Sequence, residues 1–269
     1  MPSPLPDTGA HVPDNPQPGS SVPTPPPPWA TALATLSRYL SQDFLGGPKL
    51  LRMSWVINAQ KGLTLLFVAG LMAWYGNTST EAWIYLALHG SYGIAWVMKD
   101  VAFPDPRWQV RITFGGGFMT VALVLGLYWV FPVLLISDVL GPRPNASPAL
   151  LAGAVTLHTL GLFLMVAADA QRHFTLRYRQ GLITDGLYRY VRRPNYLGEM
   201  MIYGTYALMV RHWVAWAILA WVWGAVFLPN MALTDASLSR HDGFREYKSR
   251  TGLLLPKPWS GKGAAKDDQ

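Results

Sequence analysis

"DGLYRYVRRPNYLGEMMIYGTYALMV", residues 185–210, runs from a cluster of positive charge straight into an apolar segment. Arg189, Arg192 and Arg193 are interleaved with Tyr188, Tyr190 and Tyr196 before the hydrophobic run takes over. A chain entering a membrane has this pattern, because Lys and Arg are retained on the cytoplasmic side and aromatic rings collect at the interface. The stretch therefore predicts an α-helical membrane fold, and the rest of the chain can be tested against it.

Composition agrees. The 269 residues are 51% hydrophobic and only 14% charged, against roughly 25% charged for an average soluble domain. Twelve Trp and twelve Tyr suit the two interfaces. With no Cys, disulfides, thiolate metal sites and Cys nucleophiles are excluded. The net charge of +7 is read as a topology signal, and no nucleic-acid partner is expected.

Apolar runs long enough for a ~30 Å hydrocarbon core fall near 55–76, 81–99, 112–136, 149–169, 196–210 and 213–231. The third contains Pro132 and is expected to be kinked or to be two shorter passes. Six crossings are predicted, with seven as the alternative. Arg38, Lys49, Arg52, Lys99, Arg107, Arg111, the six arginines from Arg172 to Arg193 and every basic residue from Arg240 onward then share one side, and only Arg143 and Arg211 lie opposite. Both termini are accordingly expected in the cytoplasm. The membrane would be the endoplasmic reticulum or another endomembrane in a eukaryote, and the inner membrane in a bacterium.

Four parts are predicted. Residues 1–30 hold eleven prolines and no Lys or Arg, and form a disordered, partly polyproline II tail. Its "TPPPPW" run could serve a polyproline-reading domain or be a plain linker. Residues 31–148 form an N-terminal membrane region opening with a short surface helix at 31–52, 149–258 a C-terminal membrane domain, and 259–269 a second disordered tail.

The motif loop carries more charge than topology needs. Arg presents a planar fork of donors matched to phosphate oxygens, and tyrosine faces can stack on a flat base. Pro194 pushes Arg193 toward extended backbone, Asn195 is placed as the N-cap of the next helix, and Glu199 sits one turn in, where the dipole favours a carboxylate. An ionisable group at the start of a membrane helix marks function by default.

"GLYRYVRRPNYLGE" resembles the C-terminal signature shared by steroid 5-alpha-reductases, sterol reductases, isoprenylcysteine carboxyl methyltransferases and phospholipid methyltransferases. "DASLSRHDGFREYKSRTGLLLP", residues 235–256, resembles the tail of the 5-alpha-reductase branch, in particular its uncharacterised bacterial and plant relatives. With Asp169, the resemblance covers about 165–258. It implies a cofactor site on the cytoplasmic side, to which Asp169, Asn195, Glu199, Asp235, Tyr247 and Arg250 correspond. Arg172, Arg179, Tyr190 and Arg193 join them as members of the basic, aromatic loop. Arg193 stands where the methyltransferases usually carry His, and the His expected ahead of the reductases' tail tyrosine is missing.

A pyrophosphate and a 2'-phosphate call for several cations, so the dense arginines favour NADPH, with S-adenosylmethionine as the alternative. The N-terminal half is expected to hold a lipophilic small-molecule substrate, sterol-like or isoprenoid, whose carbon-carbon double bond is reduced. Asn58, Gln60, Lys61, His89, Ser91 and Tyr92 are the polar residues at membrane depth; Tyr92, His89 and Gln60 are the predicted catalytic groups, with His89 and Tyr92 three apart on one helix face. The 5-alpha-reductases use a Gln-Glu pair for the steroid ketone, whereas here Gln60 precedes Lys61. The scattered histidines give no reason to expect a metal site.

Overall fold

The computed structural model describes residues 23–141 and 144–257. Arg143 and the tail predicted at 259–269 lie outside the described residues, as does most of the tail predicted at 1–30. All six predicted crossings are helical: α2 Met53–Tyr75, α3 Thr80–Ala102, the pair α4 Phe114–Thr120 and α5 Leu127–Ser137, α6 Pro148–Tyr178, α7 Pro194–Val210, and α8 Trp213–Val222 running into α9 Leu228–Leu238. A surface helix, α1 Pro28–Arg38, precedes them and a short α10, Phe244–Arg250, follows. Helix α1 starts inside the segment read as tail, because Pro28 at the first helical position has a preset φ and no amide to satisfy. Beyond it a wide turn, Tyr39–Asp43, leads to strand β1, Leu51–Arg52, so the predicted surface helix is shorter than 31–52.

Three helical segments, Met53–Tyr75, Pro148–Tyr178 and Trp213–Leu238, are long and apolar enough to cross a membrane. The α4–α5 pair is a fourth if counted as one span, bent by 46°. The bend lies at Gly126, after the wide turn Val121–Leu125, whereas Pro132 sits inside α5. The predicted kink therefore exists, but the i+5 turn makes it. Helices α3 and α7 are more polar or shorter for a physical reason. Helix α3 carries His89, Lys99 and Asp100, and α7 has only 17 residues, most of them buried against protein.

Ion pairs and hydrogen bonds tie the helix ends together at two opposite poles. At one, β1 pairs with β2, Arg111–Ile112, while Lys99 of α3 meets Asp169 of α6 at 2.6 Å. At the other, Arg211 after α7 grips Glu81 of α3 through two nitrogens (2.6 and 3.0 Å), and Asn77 donates to the Ile136 carbonyl. The six segments thus alternate in direction, as the basic residues predict. A polar cavity of about 400 Å³ at this second pole is lined by Asn77, Ser79, Glu81, Ser137 and Arg211. Between the poles Leu66, Phe118, Leu160 and Phe163 project outward, an apolar surface suited to lipid.

Glycines set the closest helix approaches. Gly161 of α6 and Gly198 of α7 face each other so closely that a β-carbon on Gly198 would lie 2.6 Å from the Gly161 carbonyl oxygen and from the Met165 amide. A neighbouring helix fills the space beside Gly198. Gly115 and Gly116 likewise lie against the backbone at Phe44 and Ser41. Because backbone cannot yield as a flexible side chain does, Gly198→Ala is expected to cost about 1–3 kcal/mol. A thermal midpoint in detergent equal to wild type would show that the two helices are not in contact there.

Candidate functional site

Helices α3, α6 and α7 each present a stripe of polar and aromatic residues at helical spacing to one another. The α3 stripe is Tyr85, His89, Tyr92, Trp96 and Lys99; α6 contributes His158 and Asp169; α7 contributes Asn195, Glu199, Tyr203 and Tyr206. Steps of three and four on α3 and α7, and of eleven, three full turns, on α6, keep each set on one face. From α2 comes Lys61 and from α5 comes Tyr128, so five helices converge.

Lys61 lies at the centre. Its Nζ donates to the Tyr203 hydroxyl, which also bonds Tyr92 Oη at 2.9 Å. The rings of Tyr92, Tyr128, Tyr203 and Trp96 surround the nitrogen at 4.7, 5.0, 5.1 and 5.5 Å. Tyr128 stacks on Tyr203 with centroids 3.8 Å apart. Four electron-rich faces stabilise a cation that would otherwise be costly to bury, and among the described residues no carboxylate forms an ion pair with it.

Toward the basic pole the stripe becomes ionic. Lys99 bonds one Asp169 oxygen, whose other oxygen is buried without a partner. One turn of α7 from Tyr203 stands Glu199, with no hydrogen bond or ion pair to a described residue; the charges acting on it are Lys99, Asp169, Lys61 and Arg107. Asn195 lies one further turn back on the same face, and its amide makes no hydrogen bond to a described residue. The helix starts two residues earlier than predicted: Arg193 (φ −133°) is the N-cap and Pro194 the first helical residue. Asn195 thus falls inside the first turn, and its side chain makes no cap.

At the rim, Asp105 receives Arg107 Nη2 at 2.6 Å and Arg172 Nη2 at 2.5 Å, tying the segment after α3 to α6. Burial works against the Asp105 charge, but hydrogen bonds from Arg107 and the positive charges of Arg107 and Arg172 outweigh it. They hold the carboxyl well below the usual carboxylate range.

The motif arginines are largely spent inside the protein. Arg193 Nη2 binds Asp235 at 2.8 Å, and Arg192 reaches both Asp235 and the Thr251 carbonyl (2.7 Å). The strand-like contact of Arg192 and Arg193 amides with the carbonyls of Gly252 and Leu253 adds to this clamp. Tyr247 donates to the Tyr188 carbonyl at 2.7 Å. Asp235 and Tyr247 therefore act on the motif loop, where the Arg193 Nε is a buried donor with no partner among the described residues. Arg179 pairs with Asp185 at the surface, Arg250 lies 4.0 Å from Glu246, and Tyr190 is exposed. These three stand apart from the stripe.

Of the predicted catalytic groups, Tyr92 is in the Lys61 array. His89 is in a neighbouring cluster, bonded through Nδ1 to Tyr85 (3.0 Å) and stacked on Tyr206, which meets His158 at 3.1 Å. Gln60 is buried with both amide atoms unpartnered. Sequence reasoning missed Tyr203 and Tyr128, and took Lys99 and Arg107 as topology signals. The usable clue was spacing, since Tyr203 follows Glu199 by one turn.

A model of the family described as "Protein of unknown function (DUF1295)" matches residues 50–251. Over 56 residues the chain is 37% identical to "Uncharacterized protein C7D4.09c" of Schizosaccharomyces pombe. That match takes in 21% of this chain and 19% of the relative, so it spans about a fifth of the relative's length.

Two outcomes follow from the ion pairs. Asp235→Ala leaves two buried guanidinium groups uncompensated and should cost about 3–5 kcal/mol in unfolding free energy; an unaltered denaturation midpoint would mean that the clamp is exposed to water. For Asp105 the folded value lies below the unfolded one, so its contribution is complete above about pH 3.9 and is lost as pH falls further. The difference in thermal midpoint between wild type and Asp105→Asn should thus shrink steadily below that pH, and a flat difference would contradict the assignment.

Proposed function

The chain belongs to the DUF1295 family, and on that footing we propose that it is a membrane-embedded NADPH-dependent reductase of a carbon-carbon double bond in a sterol-like or isoprenoid lipid. The observation that carries the reading is the Lys61–Tyr203–Tyr92 array at membrane depth, one helical turn from an unpartnered Glu199. The resemblance of residues 185–199 and 235–256 to the 5-alpha-reductase signature supports the same chemistry.

The residues present fit a nicotinamide dinucleotide. Asn195 offers a free amide and Glu199 a free carboxylate on one face of α7, a donor and acceptor set suited to a carboxamide and to ribose hydroxyls. Arg107 and Arg172, both partly exposed at the rim, suit phosphate oxygens. When bound, NADPH would supply the hydride. The chain's own work is to hold the acceptor's oxygen and to deliver a proton. Reduction of an enone by hydride at the β-carbon places negative charge on the carbonyl oxygen, and a hydroxyl donor backed by an ammonium stabilises it. Tyr92 and Tyr203 share one hydrogen bond and Lys61 donates into it, so either hydroxyl can give up a proton that Lys61 replaces. Low-dielectric surroundings strengthen each of these interactions.

S-adenosylmethionine-dependent methyl transfer to a prenylated or phospholipid acceptor is the second reading. One observation favours it: four of the six arginines between 172 and 193 are engaged by Asp105, Asp185 and Asp235, which leaves fewer cations for phosphates.

Thermal stability in detergent separates the two, because a ligand specific for the native state raises the midpoint by mass action. NADPH is expected to raise it in wild type, and Asn195→Ala or Glu199→Gln to abolish the shift. Stabilisation by S-adenosylmethionine alone would replace the reductase reading with the methyltransferase one. Tyr92→Phe should retain the NADPH shift and reduce turnover of an enone lipid by about 10²–10⁴-fold; full turnover would remove Tyr92 from the proton path.

A further inference from the structure

The proline run ahead of α1 is ordered, and its geometry is specific. Pro27 has φ −57° and ψ 135°, in the polyproline II region, and each residue from Thr24 to Pro27 precedes a proline, which steers it toward the same extended backbone. The run is pinned at both ends. The Thr24 amide donates to Ser239 Oγ at 2.7 Å, while that hydroxyl donates its own proton to the Ala236 carbonyl at 2.7 Å. The Pro27 carbonyl accepts from the amides of Ala30 and Thr31 at 3.0 and 3.1 Å, which fixes it to the start of α1.

A polyproline II helix repeats every three residues, so it has three ridges. The ridge of Thr24 and Pro27 is the one attached: Thr24 through its amide, and Pro27 as the half-buried member of the run. The ridges of Pro23 with Pro26 and of Pro25 with Pro28 are exposed, and Trp29, 51% exposed, adjoins them. Domains that read proline tracts seat two ridges in aromatic-walled grooves and gain from a ligand that is already extended. No charged residue occurs between Asn15 and Trp29, so recognition here would rest on proline rings and not on a flanking ion pair.

From this we infer that residues 23–28 are a docking site, held ready on α9, for a polyproline-reading domain of the WW type. The inference is independent of the enzymatic reading. Its location matters, since Ser239 lies one turn after Asp235, and a docked partner would sit on the helix that clamps Arg192 and Arg193.

The test uses the full chain in lipid nanodiscs and a dye-labelled, proline-tract-binding WW domain followed by fluorescence anisotropy. Wild type should bind saturably, and Pro25→Ala/Pro26→Ala, altering exposed positions only, should lose at least about tenfold in affinity. Ser239→Ala keeps every proline but releases Thr24, so the partner must order the run itself and affinity should fall several-fold. Absence of wild-type binding overturns the inference. So does binding that survives the double proline substitution, which would assign it to prolines upstream, or affinity unchanged in Ser239→Ala, which would make the run a plain flexible ligand.

Discussion

A lysine amine placed inside a helical membrane bundle, with no ion pair to a carboxylate among the described residues, is the constraint from which the rest of the arrangement follows. Lys61 of α2 is held by four aromatic rings and one tyrosine hydroxyl contributed by α3, α5 and α7. Rings serve where an ion pair would neutralise the group, and they leave the charge available to act on an oxygen. The helices that carry the rings must therefore approach α2 closely, and Gly93 of α3, where a β-carbon would strike the Lys61 carbonyl, allows α3 to do so; Gly161 and Gly198 bring α6 against α7 in the same way. The same convergence leaves Glu199 and Asn195 unpartnered at the basic pole, one and two turns from Tyr203.

The two poles divide the labour. At the basic pole, charge is abundant and much of it is internally satisfied: Asp169 with Lys99, Asp105 with Arg107 and Arg172, Asp235 with Arg192 and Arg193. These pairs fix the ends of α3, α6, α7 and α9, so the unpaired groups of α7 are held on rigid neighbours. At the opposite pole the Arg211–Glu81 pair joins α7 to α3. A membrane helix has little hydrophobic incentive to pack against another, so polar ties at the ends and close backbone contact in between supply the register.

Much of this was legible in the sequence, and the reasons for the remainder are physical. Hydropathy located all six helical segments because lipid-facing residues must be apolar. Among them α3 and α7 are the least typical of membrane helices in composition or length, since their burial against protein permits His89, Lys99 and a length of 17 residues. Asp169, Asn195 and Glu199 stood out because the motif order is local. The density of arginines was read as phosphate-binding capacity, whereas Arg192 and Arg193 are turned inward by Asp235, more than forty positions away. That pairing has no local signature. Nor does the Lys61 array, in which each of the five side chains is ordinary in its own helix and gains meaning only from the other helices. Gln60, next to Lys61, was singled out from sequence and is buried with its amide unpartnered.

If Lys61 is retained for chemistry and not as a strut, removing its charge should not weaken the fold. A buried charge is costly, and an apolar side chain of similar volume often matches or exceeds it in stability. The most direct measurement is the thermal midpoint of Lys61→Met in detergent beside wild type, each with and without NADPH. The account predicts a midpoint equal to or above wild type with the NADPH shift preserved. A midpoint several degrees lower would contradict it, and would make the caged ammonium a structural element of the bundle.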